Sequence, residues 1–151
     1  MNGRKLLHYE ILEKLGEGGM GEVWLARDTR LDREVAIKVL APEVASDPER
    51  LERFRREAKA VAALNHPNIV TIHSVEEEGD VHFFTMEYVE GEPVTTYCDR
   101  HLLSTRERLE LFVQVCDGVQ HAHRNGIIHR DIKSSNILVR EGDLERAQAL
   151  H

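Results

Sequence analysis

Between Ile127 and Asn136 the chain reads Ile-Ile-His-Arg-Asp-Ile-Lys-Ser-Ser-Asn. A carboxylate, two cations and an amide follow an apolar pair within one short stretch. Asp131 can accept a proton from a hydroxyl, and Lys133 can reach the oxygens of a phosphate in transfer. Asn136 offers a neutral oxygen to a hard cation such as Mg²⁺. Phosphoryl transfer needs this mixture, because positioning and charge neutralisation do most of the work. The plainer reading is a polar turn between a helix and a strand. The order and spacing of the groups, and the apolar Ile137-Leu138-Val139 behind them, favour chemistry.

A second stretch of the same character lies near the start, Leu15-Gly16-Glu17-Gly18-Gly19-Met20-Gly21-Glu22-Val23. Glycines let the backbone approach an anion closely, and free N–H groups can then bind phosphate oxygens. Alone, the pattern is also that of a hairpin turn, or of a dinucleotide fingerprint if a helix followed. Strand-like residues follow instead, which argues against the dinucleotide reading. Further on, Lys38 closes the apolar run Val35-Ala36-Ile37-Lys38. A lysine snorkelling from a strand edge would look the same.

Taken together, His129-Arg130-Asp131 with Asn136, the glycine run completed by Val23, and Val35-Ala36-Ile37-Lys38 carry the signature set of protein kinases. The chain resembles the eukaryotic-like (Hanks-type) bacterial Ser/Thr protein kinases, from about residue 8 to residue 140. The resemblance implies ATP and Mg²⁺ as cofactors and a protein Ser or Thr hydroxyl as acceptor. Asp131 would orient and deprotonate that hydroxyl, Lys133 would stabilise the transferring phosphoryl group, and Asn136 would bind Mg²⁺. Lys38, held by Glu57, would grip the α- and β-phosphates under the loop from Leu15 to Val23. Val35 and Ala36 would help wall the adenine, with Met86 behind it. The backbones of Glu87 and Val89 would meet its edge.

The same resemblance defines two departures. Ser134 stands where the family usually has Pro, at a small cost in loop rigidity. The Asp-Phe-Gly motif is expected roughly a dozen residues past Asn136, where this chain has Gln148-Ala149-Leu150-His151. The alternative to an active Ser/Thr kinase is therefore a catalytically inactive fragment that binds nucleotide or protein. The tail from Asp143 favours a helix, with Leu144, Ala147 and Leu150 at helical spacing.

These groups need elements to hold them. The fold expected is α+β: a five-stranded antiparallel sheet with one main helix over residues 8–89, then the helical start of a larger lobe over 90–140. Strands are expected at Tyr9–Gly16, through Val23, Leu25 and Ala26, at Glu34–Leu40, Ile69–Val75 and Val81–Val89. The main helix opens at Asp47-Pro48, an N-cap followed by a residue suited to the first turn. A short helix is expected at Val94–Leu102. A longer one opens at Ser104, with Glu107 forming a capping box, and ends at Gly126. Its apolar stripe reads Leu109, Phe112, Val113, Cys116, Val119 and Ala122. With part of a large lobe missing, that stripe would be exposed and prone to self-association.

The totals bound the rest. With 151 residues and a formal charge of −7, the chain is one domain's worth and a poor partner for nucleic acid or anionic membrane. No stretch approaches the roughly 18 apolar residues of a membrane span. Cys98 and Cys116 lack Cys-x-x-Cys spacing, which suits free thiols in a reducing, cytoplasmic setting. His121, His123 and His129 are not read as a metal set, because residues two apart on a helix do not face each other.

Overall fold

Period-two alternation of apolar residues builds a sheet that dominates the first half of the chain. The computed structural model describes residues 2–127, 137–140 and 146–149. The chain divides into two units, Met1–Ala63 with Ile72–Tyr88, and Leu64–Thr71 with Val89–His151.

The first unit holds β1 (Lys5–Leu6), β2 (Tyr9–Gly18), β3 (Gly21–Asp28), β4 (Arg33–Leu40), β5 (Ile72–Glu78) and β6 (Val81–Glu87). They form one antiparallel sheet in the order β1-β2-β3-β4-β6-β5. The sheet has six strands where five were expected. The extra one is the two-residue β1, drawn in by the fully buried Leu6 and turned back through Leu7 at φ 52°. The expected fourth strand starts later, at Ile72, because Ile69 and Val70 are buried with the second unit.

One sheet face is sealed by Leu6, Tyr9, Ile11, Trp24, Ala26, Val35, Ile37 and Phe83. The short α1 (Pro42–Ala45) leads to α2 (Pro48–Ala62). The Asp47 side chain accepts from the backbone N–H groups of Glu49 and Arg50, so the first turn is capped as expected. Helix α2 buries Phe54, Ala58 and Val61 and turns its charged residues outward.

The second unit holds α3 (Val94–Arg100), α4 (Thr105–Arg124) and a three-stranded antiparallel sheet, β7 (Gly91–Pro93), β8 (Ile137–Arg140) and β9 (Arg146–Ala149), with β8 in the centre. Ser104 and Glu107 form the expected capping box, and Gly126 ends the helix at φ 79°. The inward stripe of α4 is not the expected one. Leu111, Val115 and Gly118 are buried, with Tyr97, Cys98, Ile137 and Val139 among the residues of the same clusters. Val119 and Ala122 are half-buried, while Leu109, Phe112, Val113 and Cys116 lie exposed. The helix is apolar on two sides, so its spacing alone did not select the packed one.

The tail corrects a further expectation. Residues 146–149 form β9 rather than a helix and pair with β8 from Ile137↔Ala149 to Arg140↔Arg146. An open strand edge supplies backbone donors and acceptors that must be met, and that demand outweighs a weak local helix preference.

Candidate functional site

Strand register decides which side chains of the first unit share a face. Gly16 pairs with Val23, Val23 with Lys38, and Lys38 with Phe84, so these four form one cross-strand row. Two residues along, Leu25, Ala36, Met86 and Ile72 form the next row on that face. Val23, Ala36, Lys38 and Met86, spread over more than sixty positions of sequence, therefore line one surface. Ala36 and Met86 are buried, and Lys38 is half-buried among apolar neighbours. Val35, expected to wall the adenine with Ala36, faces the sealed core instead, because adjacent residues of a strand point to opposite faces.

Helix α2 docks on the same face. The rings of Phe54 and Phe84 lie 5.4 Å apart, and Phe84 is the cross-strand partner of Lys38. Glu57 follows Phe54 by about one helical turn, hence on the same side of α2, and is exposed. The aromatic contact thus fixes which part of α2 lies over the Lys38 row. Sequence reasoning gave Phe84 no such role. Its signal was the alternation of β6, which sends Phe83 into the sealed core and Phe84 to the opposite face.

The glycines of the hairpin divide into two kinds. Gly21 has φ 153°, and a side chain there would collide with the backbone carbonyl of Val39. The fold itself requires that glycine. A Cβ built on Gly16, Gly18 or Gly19 meets nothing within 4 Å. Their lack of side chains leaves open backbone at the tip, as the close approach of a polyphosphate requires. The tip is moored on one side, where the Ala41 N–H donates to the Met20 carbonyl at 2.9 Å. Leu15 and Met20 are exposed, and Glu17 and Glu22 flank the tip. The residues present fit an adenine nucleotide on this surface.

Glu87 closes β6 and is half-buried; Val89, buried, begins the later part of the second unit. Asp131, Lys133 and Asn136 lie outside the described residues. What is described is the pair of elements that bracket them. Ile127 donates its N–H to the Ala122 carbonyl at 2.9 Å at the end of α4, and β8 starts at Ile137 in the middle of its sheet. The Mg²⁺ expectation rests on Asn136, and among the described residues no group of three or more His, Cys, Asp or Glu is arranged to hold a metal.

The segment before β5 is fastened to α4 within the second unit. Asn68 donates its backbone N–H to His66 Nδ1 at 3.0 Å and its side-chain amide to Gln114 Oε1 at 3.4 Å. Gly118 lets that backbone come close, since a Cβ would stand 3.1 Å from the Asn68 carbonyl oxygen. The His66 ring lies 5.0 Å from that of His121. Burial, with His121 beside it, holds His66 below the ordinary imidazole range, and Asp117 opposes the shift.

A curled antiparallel sheet with a glycine hairpin, a strand lysine and a helix docked over it is a protein-kinase-like fold. Residues 9–146 match the protein kinase domain family, and the chain belongs to that family. It is 48% identical over 132 residues to the Serine/threonine-protein kinase PrkC of Bacillus subtilis, covering 87% of this chain and 20% of that protein. It is 44% identical over 137 residues to the Serine/threonine-protein kinase PknA of Mycobacterium tuberculosis, covering 87% and 32%. The crystal structure of the Mycobacterium tuberculosis PknI kinase domain superposes with a TM-score of 0.83 at 31% identity, over 99% of this chain and 61% of that one. The chain thus spans between a fifth and a third of the curated relatives named here.

Proposed function

We propose that this chain is the nucleotide-binding and phosphoryl-transferring part of a Ser/Thr protein kinase that uses ATP to phosphorylate protein hydroxyls. The carrying observation is the register that sets Val23, Lys38, Ala36 and Met86 on one sheet face beside the unobstructed Gly16, Gly18 and Gly19. Lys38 grips the α- and β-phosphates and Glu57 orients it. Ala36 and Met86 hold the adenine, and the backbones of Glu87 and Val89 hydrogen-bond its edge. Asp131 orients the acceptor hydroxyl and takes its proton. Lys133 neutralises the charge that develops on the transferring group. Asn136 would hold Mg²⁺, which when bound supplies further neutralisation of phosphate charge. The reading includes a cytoplasmic location; among the described residues no helix is long and apolar enough to cross a membrane.

One observation favours a second reading, a nucleotide- or protein-binding fragment without useful catalysis. Leu109, Phe112 and Val113 expose 57%, 59% and 57% of their surface on α4, a patch through which the chain would self-associate. A thermal melt with and without MgATP, followed by a transfer assay, separates the two. Nucleotide at a hundred times its Kd stabilises the fold by about 2.7 kcal/mol. Phosphate transfer that disappears in Asp131→Asn supports the kinase reading. An ATP-shifted melt with no transfer leaves the fragment reading, and a melt indifferent to ATP removes nucleotide binding from both.

A further inference from the structure

The hairpin that carries the glycine run contains an electrostatic problem and its solution. Its register sets Glu17 directly opposite Glu22, and like charges facing each other across an antiparallel pair are destabilising. The Lys14 ammonium lies 2.6 Å from Glu17 Oε2 and 3.3 Å from Glu22 Oε1. Lys14 itself pairs with Trp24, and its Nζ stands 5.9 Å from the centroid of the indole ring. Trp24 Nε1 donates to Glu22 Oε2 at 2.9 Å, closing the circuit. Both ends of the network carry its electrostatic mark. The hydrogen bond to Glu17, with help from Glu22, holds the Lys14 ammonium above its ordinary range. Trp24 and Lys14 hold the Glu22 carboxyl below its own.

The network does not share a face with Lys38. Trp24 belongs to the sealed side of the sheet, whereas Val23 and Lys38 occupy the other. Lys14 therefore reaches no nucleotide directly. Between its two carboxylate partners lie Gly18, Gly19 and Gly21, the tip that a polyphosphate approaches. Two uncompensated carboxylates flanking that tip would repel the polyanion, by an amount that falls as salt rises because both are solvent-exposed.

We propose that Lys14 is a positioning residue for the phosphate-binding hairpin. It offsets one of the two negative charges of Glu17 and Glu22 and ties both arms of the loop to Trp24, so that the tip accepts a polyphosphate. The inference rests on the nucleotide-binding reading above. Because the ion pairs are largely exposed, removing them costs little stability, and the variants fold.

The test is to titrate ATP, ADP and adenosine into the 151-residue chain by calorimetry and by the emission of Trp24, its single tryptophan. The proteins compared are the unsubstituted chain, Lys14→Met, Lys14→Arg, Glu17→Gln and Lys14→Met with Glu17→Gln. Lys14→Met should weaken ATP by about three- to tenfold, ADP by less, and adenosine not at all, with a shift in Trp24 emission. Lys14→Arg should keep affinity, Glu17→Gln alone should raise it for ATP, and the double variant should recover most of the loss. Equal losses for adenosine and ATP would reduce Lys14 to a structural residue, and unchanged ATP affinity would overturn the proposal outright. If the unsubstituted chain binds none of the three ligands, the nucleotide reading itself fails and the proposal with it.

Discussion

Helices α2 and α4 pose the same problem and solve it differently. Each opens on a well-made cap and each carries apolar residues at helical spacing. In α2 only one side is apolar, and that side packs on the sheet through Phe54. In α4 one apolar side, Leu111 and Val115, is packed, and a second, Leu109, Phe112 and Val113, faces outward. A stripe marks a helix in both cases. It marks the direction of the core only where the rest of the surface is charged.

The sharpest test of that contrast is a pair of truncations. Phe54→Ala should cost about 3–5 kcal/mol in chemical denaturation, while Phe112→Ala should stay within about 0.5 kcal/mol. Similar costs at the two positions would mean that the outward side of α4 is packed in solution. A second pair separates the glycines. Gly21→Ala should lose about 1–3 kcal/mol through strain and collision with Val39. Gly18→Ala should melt with the unsubstituted chain and reveal itself only in weaker ATP binding. A smaller effect is expected at the α4 cap, where Ser104→Ala should cost about 1 kcal/mol without changing nucleotide affinity.

The smallest effect is a pH dependence. His66 is held below its ordinary range in the folded state, so the unfolded chain takes up the proton first as pH falls below about 6.5. Stability should therefore fall with acid across that window and level off below the folded value. His66→Asn, compared by urea denaturation between about pH 5 and pH 8, should flatten part of the slope. His73, also lowered by shielding from solvent and by Arg33, supplies a slope of the same sign in the other unit. A profile unchanged by the substitution would show that the ring is solvated.

Much of the fold was legible where local and long-range signals agree. Asp47-Pro48, Ser104 with Glu107, and the alternation of Val35 to Leu40 each have a local physical cause that the fold keeps. What could not be read came from partners distant in sequence. Leu6 makes a strand only because Tyr9 turns back to pair with it. Residues 146–149 become a strand only because β8 offers an edge. Of the candidate site, the residue types were plain, and it is the register that puts Ala36 beside Met86 and Lys38 beside Phe84. Lys14 and Trp24 escaped notice because their signal lies in facing pairs, which need the hairpin's two bulges to be counted correctly.

Those bulges have a consequence in time as well as in space. Strand β2 breaks register between Ile11 and Glu13 and again between Lys14 and Gly16, whereas β3 and β4 pair without interruption from Gly21↔Leu40 to Asp28↔Arg33. Interrupted ladders open more readily than continuous ones. The two arms of the hairpin should therefore exchange their amide hydrogens at different rates, fast along residues 12–17 and slowly along 22–27. The glycine tip would then move as a flap hinged on a yielding arm, with the other arm as its fixed post.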